Sequence, residues 1–303
     1  METPSIEVDK TLRSKKFVGL LIVALLVTYA LPFPLMSGFM ESYGRVKEIL
    51  RLMEKENDAI NCHAVFNFNP DFFGEHGMKC DETYYRPNET TVSCCGMQVY
   101  RDTYWKYLRA SSEMREKLPL MGIFAVWVFL TQLAFSYALV DAAVELARGR
   151  KKRVLESIKA GLKSLPALVA AELLTFVFVL IALILLAIPI AIFGPLGSFM
   201  AGIIATPAFA LVVPAYYFTR NVGVVEEIWR VARANPGGYF TLGLGLSIVD
   251  VFLILQYEYY MGALTLLILL SLGAVRYVIN SLGALWVYAE TAPEEEEEIA
   301  GEL

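Results

Sequence analysis

Histidine is almost missing from this chain of 303 residues. There are two, His63 and His76, and both sit in one polar stretch. A lipid-modifying enzyme needs clustered His, Asp and Glu at a membrane interface, and no such cluster occurs. Charged residues make up only 19% of the chain, fewer than a soluble domain of this length carries. No C-x-x-C pair is present, which argues against a thiol oxidoreductase. The order Cys62-His63, His76, Cys80, Cys94-Cys95 follows no regular zinc-ligand spacing. No catalytic, nucleotide-binding, nucleic-acid-binding or metal motif stands out. The reading is therefore non-enzymatic, with no cofactor, no metal and no nucleic-acid partner.

What fills the chain is apolar: 56% of residues are hydrophobic. Six long runs, 17–36, 118–140, 165–193, 196–218, 239–257 and 262–289, each approach or exceed the ~20 residues needed to cross ~30 Å of hydrocarbon. In lipid the backbone must satisfy its own hydrogen bonds, so the runs are expected to be helices. The fold class is an all-α integral membrane protein with six transmembrane helices. Residues 17–38 form the first span, read as an uncleaved anchor rather than a signal peptide because the run is longer than an ordinary signal core. The other five spans fall within 118–290.

Lysine and arginine set the orientation. Residues 1–16 carry four, the segment after the second run seven, and the segment after the fourth run three; the connections after the third and fifth runs carry none. By the positive-inside rule both termini are cytoplasmic, and residues 39–117 are extracytoplasmic, in a cell membrane. The tail 291–303 is acidic, which the rule tolerates.

All four cysteines lie in the insert 39–117. On the outside they are expected to form disulfides, with Cys62 and Cys80 each meeting Cys94 or Cys95, because a bond between sequence neighbours is strained. Asn88-Glu89-Thr90 is a glycosylation acceptor pattern. Val46, Ile49, Leu50 and Met53 recur at helical spacing, and residues 100–117 look helical too. The middle, rich in aromatics such as Phe72 and Phe73, reads as a small stapled cap.

Two inner-surface amphipathic helices are expected, at 151–164 and 222–234, each followed by a proline that opens a span. Their basic residues could hold anionic lipid headgroups. An offset of 70 residues pairs Val154 with Val224, Glu156 with Glu226, Ile158 with Ile228 and Pro166 with Pro236, the pattern of a duplicated helix-plus-hairpin. The stretch 218–245, FTRNVGVVEEIWRVARANPGGYFTLGLG, resembles a motif of polytopic prokaryotic membrane domains, such as the membrane region fused to glycerophosphodiester phosphodiesterases. The resemblance covers residues 150–290. It implies a span, a surface helix, a polar turn and a new span, but no phosphodiesterase activity, since the catalytic domain has no counterpart here.

Ionisable residues inside spans mark functional candidates. Glu172, Arg276 and Asp141 are expected in an inner-leaflet ion cluster near Glu145, with Glu172–Arg276 as the pair. Asp250 is expected to stand apart toward the outer side, with Gln132 among its polar neighbours. Ala134, Ala138 and Ala142, and Gly243 with Ser247, are read as small-residue packing seams. The leading functional expectation is a membrane scaffold that binds a protein partner through its external cap. The alternative is a transporter or channel subunit whose polar path includes Asp250, Gln132 and the inner cluster.

Overall fold

The computed structural model describes residues 7–68, 79–150, 152–185, 187–258 and 260–291. The acidic tail beyond Thr291, and His76, Phe72 and Phe73, lie outside the described residues. The chain divides into a bundle unit, Met1–Phe33 with Ala125–Leu303, and a smaller unit, Pro34–Phe124.

Helices dominate both. In chain order they are α1 (Val8–Leu12), α2 (Lys15–Leu25), α3 (Phe33–Phe68), α4 (Arg101–Ala147), α5 (Val154–Leu185), α6 (Ala187–Thr219), α7 (Val225–Ala234), α8 (Pro236–Glu258), α9 (Ala263–Val278) and α10 (Ala284–Ala289). One antiparallel hairpin, β1 (Thr91–Cys94) with β2 (Met97–Tyr100), joins α3 to α4. Among the described residues five helical segments are long and apolar enough to cross a membrane, or six if the bent pair Lys15–Ala30 and Phe33–Phe68 counts as one span. The fold is thus all-α, and five or six long apolar helices are what a multi-pass membrane protein carries. Residue after residue on these helices is large, apolar and exposed, Leu173, Phe176, Val177 and Ile181 on α5 for example. Such a surface suits lipid rather than water.

The first apolar run is interrupted. α2 passes into a π-helical turn, Leu26–Ala30, and the chain restarts as α3 at Phe33. Pro32 and Pro34 have no amide hydrogen to donate, so the hydrogen-bond ladder cannot run through them. A second π turn, Ile279–Gly283, links α9 to α10.

The expected surface helix at 151–164 is not a separate element. α5 runs unbroken from Val154 through Pro166 to Leu185. The reason is close packing on α4: a Cβ added to Gly161 would stand 2.2 Å from the Ala134 carbonyl oxygen and 3.5 Å from Ala138 Cβ. The alanine seam and this glycine hold the segment against the bundle. α7 does form its own helix, ending where Asn235 leaves helical geometry and Pro236 starts α8. Ile228 and Val231 are its buried residues, while Trp229 is half exposed. Gly243 behaves like Gly161, since a Cβ there would meet the Ile203 carbonyl oxygen at 2.0 Å. α6 is broken at Gly194, whose φ of 56° is a conformation open to glycine.

In the smaller unit Met36, Met40, Val46, Met53, Ala59 and Ile60 form the buried stripe of α3, with Ile49 and Leu50 at its edge. Cys62 and Cys80 are disulfide-bonded, and Cys94 and Cys95 are free. This corrects the expected pairing. Cys94 ends β1, and Cys95 sits in the two-residue turn Cys95-Gly96, where both φ angles are positive (58° and 79°). A turn with positive φ at both central residues is the tight hairpin type. It commits the two thiols to each other's neighbourhood, with Sγ atoms 2.9 Å apart. Asn88 is exposed on a turn.

Candidate functional site

Spans α4, α5, α6, α8 and α9 converge on a polar cavity of about 180 Å³ within the bundle unit. Its wall carries Gln132, Glu172, Thr206, Asp250, Arg276 and Asn280. Each is a polar residue within a largely apolar helix, so each is drawn to the others and away from lipid.

Arg276 is the hub. Its Nη1 donates to Gln132 Oε1 at 3.1 Å. Its Nε stands 3.0 Å from Asp250 Oδ1. That N–H does not point along the line to the carboxylate, so the contact is an ion pair without an aligned hydrogen bond. Each of these two side chains keeps 29% of its surface exposed. The pair is therefore neither dry nor bathed in bulk water.

Glu172 is the unpaired member. Its Oε2 is buried and has no hydrogen-bond partner. The expected Glu172–Arg276 pair is thus replaced by Asp250–Arg276. The reason is reach. α8 and α9 form a tight hairpin, with Asp250 eight residues before its end and Arg276 thirteen after its start. The offset is about 7 Å along the axis, a gap that the long arginine side chain spans. Counting depths at the α-carbon put the two residues in opposite leaflets and missed this.

Two neighbours escaped the sequence reading. Asn280 lies one turn beyond Arg276, inside the second π turn, and donates from Nδ2 to Ser136 Oγ at 3.2 Å. Tyr29, from the first π turn, places its ring over Gly273: a Cβ there would stand 2.5 Å from the ring. Tyr29 Oη is buried without a hydrogen-bond partner. The adjoining Thr28 hydroxyl and Tyr277 hydroxyl are 2.7 Å apart. Both π turns thus supply polar residues to one region, and such turns recur at functional sites because they re-aim side chains. The (i, i+4) spacing of Arg276 and Asn280 was readable. The π turns were not, since nothing in local composition marks them.

Asp141 does not belong to this cavity, which corrects the single inner cluster. It lies nine residues beyond Gln132 on α4, about 13 Å further along. Lys152 Nζ donates to both its carboxylate oxygens at 2.8 and 2.7 Å, and Tyr217 Oη donates to Oδ1 at 3.3 Å. Asp141 is buried and fully engaged, a staple between the end of α4 and the start of α5. Glu145 is likewise held by Arg148 and Arg150, at 3.9 and 3.6 Å.

The smaller unit has its own buried charge, absent from the sequence reading. Glu56 on α3 is 2% exposed at its side chain. It accepts from Arg86 Nη2 at 2.5 Å, the Tyr100 amide at 3.2 Å and Thr103 Oγ1 at 2.8 Å. Arg86 also binds Glu89 and Asp102, and its guanidinium lies 4.2 Å over the Tyr100 ring. Burial lowers the Arg86 pKa, but the hydrogen bonds to Asp102 and Glu56 outweigh it and hold the group above its ordinary value. This hub ties α3, the 80–90 loop, β2 and α4. A shared hydrogen bond with Cys95, aided by burial, raises the Cys94 thiol pKa. His63 stacks on Tyr85 with ring centroids 3.7 Å apart. Among the described residues no group of three or more His, Cys, Asp or Glu gathers at metal-binding range.

Comparison with known families, curated proteins and solved structures returns no match, and the functional reading rests on the geometry above.

Proposed function

We propose that the protein is a transporter that carries a proton or a small monovalent cation through the cavity of Glu172, Asp250 and Arg276. The observation that carries this reading is the buried Glu172 Oε2, which lacks any partner on the wall of a polar cavity. Two carboxylates face one guanidinium, and arginine is always charged. With both acids ionised the site holds one unbalanced negative charge, which an apolar bundle does not tolerate. A proton on Glu172 balances it, and so does a bound monovalent cation. Exchange of either is the elementary step of ion-coupled transport. Gln132, Thr206 and Asn280 supply neutral oxygens for such an ion.

In this reading the chain crosses the membrane six times, with both termini cytoplasmic and residues 39–117 outside. The alternation of lysine and arginine among the short connections supports it. The test uses the full chain in liposomes loaded with a pH-sensitive dye, with imposed proton, sodium or potassium gradients. The wild type should dissipate one gradient, and Glu172→Gln and Asp250→Asn should abolish that flux. No flux above protein-free liposomes, or equal flux in Glu172→Gln, refutes the reading.

A second reading, partner binding by the smaller unit, draws on a groove of about 390 Å³ beside Arg45, Glu48, Trp105 and Arg109. Trp105 is 57% exposed there, and an exposed tryptophan between alternating charges is a common protein-binding anchor. Loss of a specific co-purifying protein in Trp105→Ala, with ion flux intact, favours it.

A further inference from the structure

A larger cavity lies elsewhere in the bundle unit, where the start of α2, the end of α4 and the start of α5 meet. It encloses about 520 Å³, far more than one ion requires. Its accessible apolar wall includes Ala142, Leu146 and Val154, backed by the buried Phe17 and Leu20, and its polar wall includes Lys15, Lys16 and Arg150.

The charges do not cancel. Lys152 is consumed by Asp141. Glu145, an acid on the wall, is already shared between Arg148 and Arg150. Lys16 Nζ makes only a long contact of 3.4 Å, to the neutral Lys152 carbonyl. Among the described residues no carboxylate forms an ion pair with Lys15 or Lys16, and both side chains are exposed. The acids nearby are thus paired, while two lysines and part of Arg150 are left over. An apolar floor beneath surplus cations, at the polar ends of lipid-facing helices, matches a molecule that is anionic at its head and oily below.

We propose that this cavity binds the phosphate headgroup of an anionic phospholipid, with Lys15, Lys16 and Arg150 on the phosphate and Ala142, Leu146 and Val154 against the glycerol and upper acyl chain. The site is independent of the Glu172 cavity and does not rest on the transport reading. It also goes beyond a diffuse basic surface, because it names one cavity and three cations, with Lys159 and Lys163 outside it.

The test is native mass spectrometry of the full chain in detergent, titrated with phosphatidylglycerol or phosphatidylcholine. Phosphatidylglycerol should be retained over phosphatidylcholine. Retention should fall as salt rises, since an exposed cation–phosphate contact is screened. The triple variant Lys15→Gln, Lys16→Gln, Arg150→Gln should weaken phosphatidylglycerol retention about a hundredfold, the combined contribution of three cations. The control Lys159→Gln, Lys163→Gln should leave it unchanged. An excess of inorganic phosphate separates the sources of the ligand. Lipid retention that survives it supports the headgroup assignment, and displacement by it overturns that assignment in favour of a soluble phosphate. Equal retention of the two lipids, or salt-independent retention by the wild type, overturns the site without recourse to any variant.

Discussion

The pairing inside the polar cavity can be decided by a double-mutant cycle. Arg276 Nε is 3.0 Å from Asp250 Oδ1, so the charge centres are about 4 Å apart. At an effective dielectric of about 20 that is about 4 kcal/mol of attraction, and in bulk water about 1 kcal/mol. Each side chain is 29% exposed, so the working figure lies between these limits, at about 2 kcal/mol after screening. Arg276→Met alone leaves Asp250 without its counter-charge and should cost about 3 kcal/mol. Asp250→Asn alone removes the closest counter-charge of the guanidinium, which still faces Glu172, and should cost less, about 2 kcal/mol. The double variant strands neither, so it should cost less than the sum by about 2 kcal/mol, the coupling that the cycle reads. The assay is unfolding of the full chain in mixed micelles of rising denaturing-detergent fraction, followed by circular dichroism. A parallel cycle with Glu172→Gln and Arg276→Met should give a smaller coupling, because Glu172 Oε2 has no partner. A Glu172 coupling equal to or larger than that of Asp250 refutes the geometry argued here.

Other consequences are testable with single changes. Glu56→Ala removes the acceptor of three hydrogen bonds and leaves Arg86 short of a buried counter-ion, so unfolding of the smaller unit, read by protease susceptibility of the full chain against temperature, should shift by about 2–4 kcal/mol. Unchanged susceptibility counts against the hub. Gly161→Ala and Gly243→Ala place a methyl group 2.2 and 2.0 Å from backbone oxygens of neighbouring helices. Each should destabilise the bundle by about 1–3 kcal/mol in the micelle assay, whereas Gly122→Ala, which meets nothing within 4 Å, should not. An impermeant maleimide should label intact cells through Cys94 and Cys95 without prior reduction, and Cys62 and Cys80 only after it. The thiolate is the reactive form and the Cys94 pKa is raised, so labelling at Cys94 should quicken as pH rises through and beyond the ordinary thiol range, about 8.5. Labelling that needs reduction first would show that Cys94 and Cys95 are not free.

How much of this was legible in the sequence depended on the length scale of the signal. Spans are readable because lipid imposes a single demand over twenty residues, so runs such as 196–218 and 239–257 return as the helical segments α6 beyond Gly194 and α8. The packing seams were readable as well, since Ala134 and Gly243 advertise close approach by their size. The surface helix at 151–164 was misjudged because amphipathicity describes a face and not what covers it. Here the small-residue face at Ser157 and Gly161 is buried, with Gly161 against α4, while Lys159 and Lys163 on the basic face stay exposed. The cysteine pairing failed for a related reason. Excluding a bond between neighbours sends Cys62 to Cys94 or Cys95 only if all four thiols pair, and two stay free; the turn at Cys95-Gly96 depends on backbone angles that cysteine does not announce.

The site itself marks the boundary most clearly. Asp250, Gln132, Glu172 and Arg276 could all be nominated, because a polar residue in an apolar run is conspicuous wherever it points. Their partnership could not be assigned, because it turns on the reach of the Arg276 side chain across a hairpin to Asp250 and across to Gln132. The functional expectation reverses on this point. If Glu172 and Arg276 were paired, with Asp250 alone in a wet outer recess, the intramembrane charges would be a structural staple plus one solvated acid, and a scaffold would be the simpler account. Once Arg276 is taken by Asp250, the carboxylate left over is that of Glu172, whose Oε2 is buried without a hydrogen-bond partner. A buried, partnerless carboxylate on a cavity wall contributes nothing to holding helices together. It costs stability in every ionisation state except those in which a proton or a cation sits with it, and that cost is the physical reason for seeking the ion there.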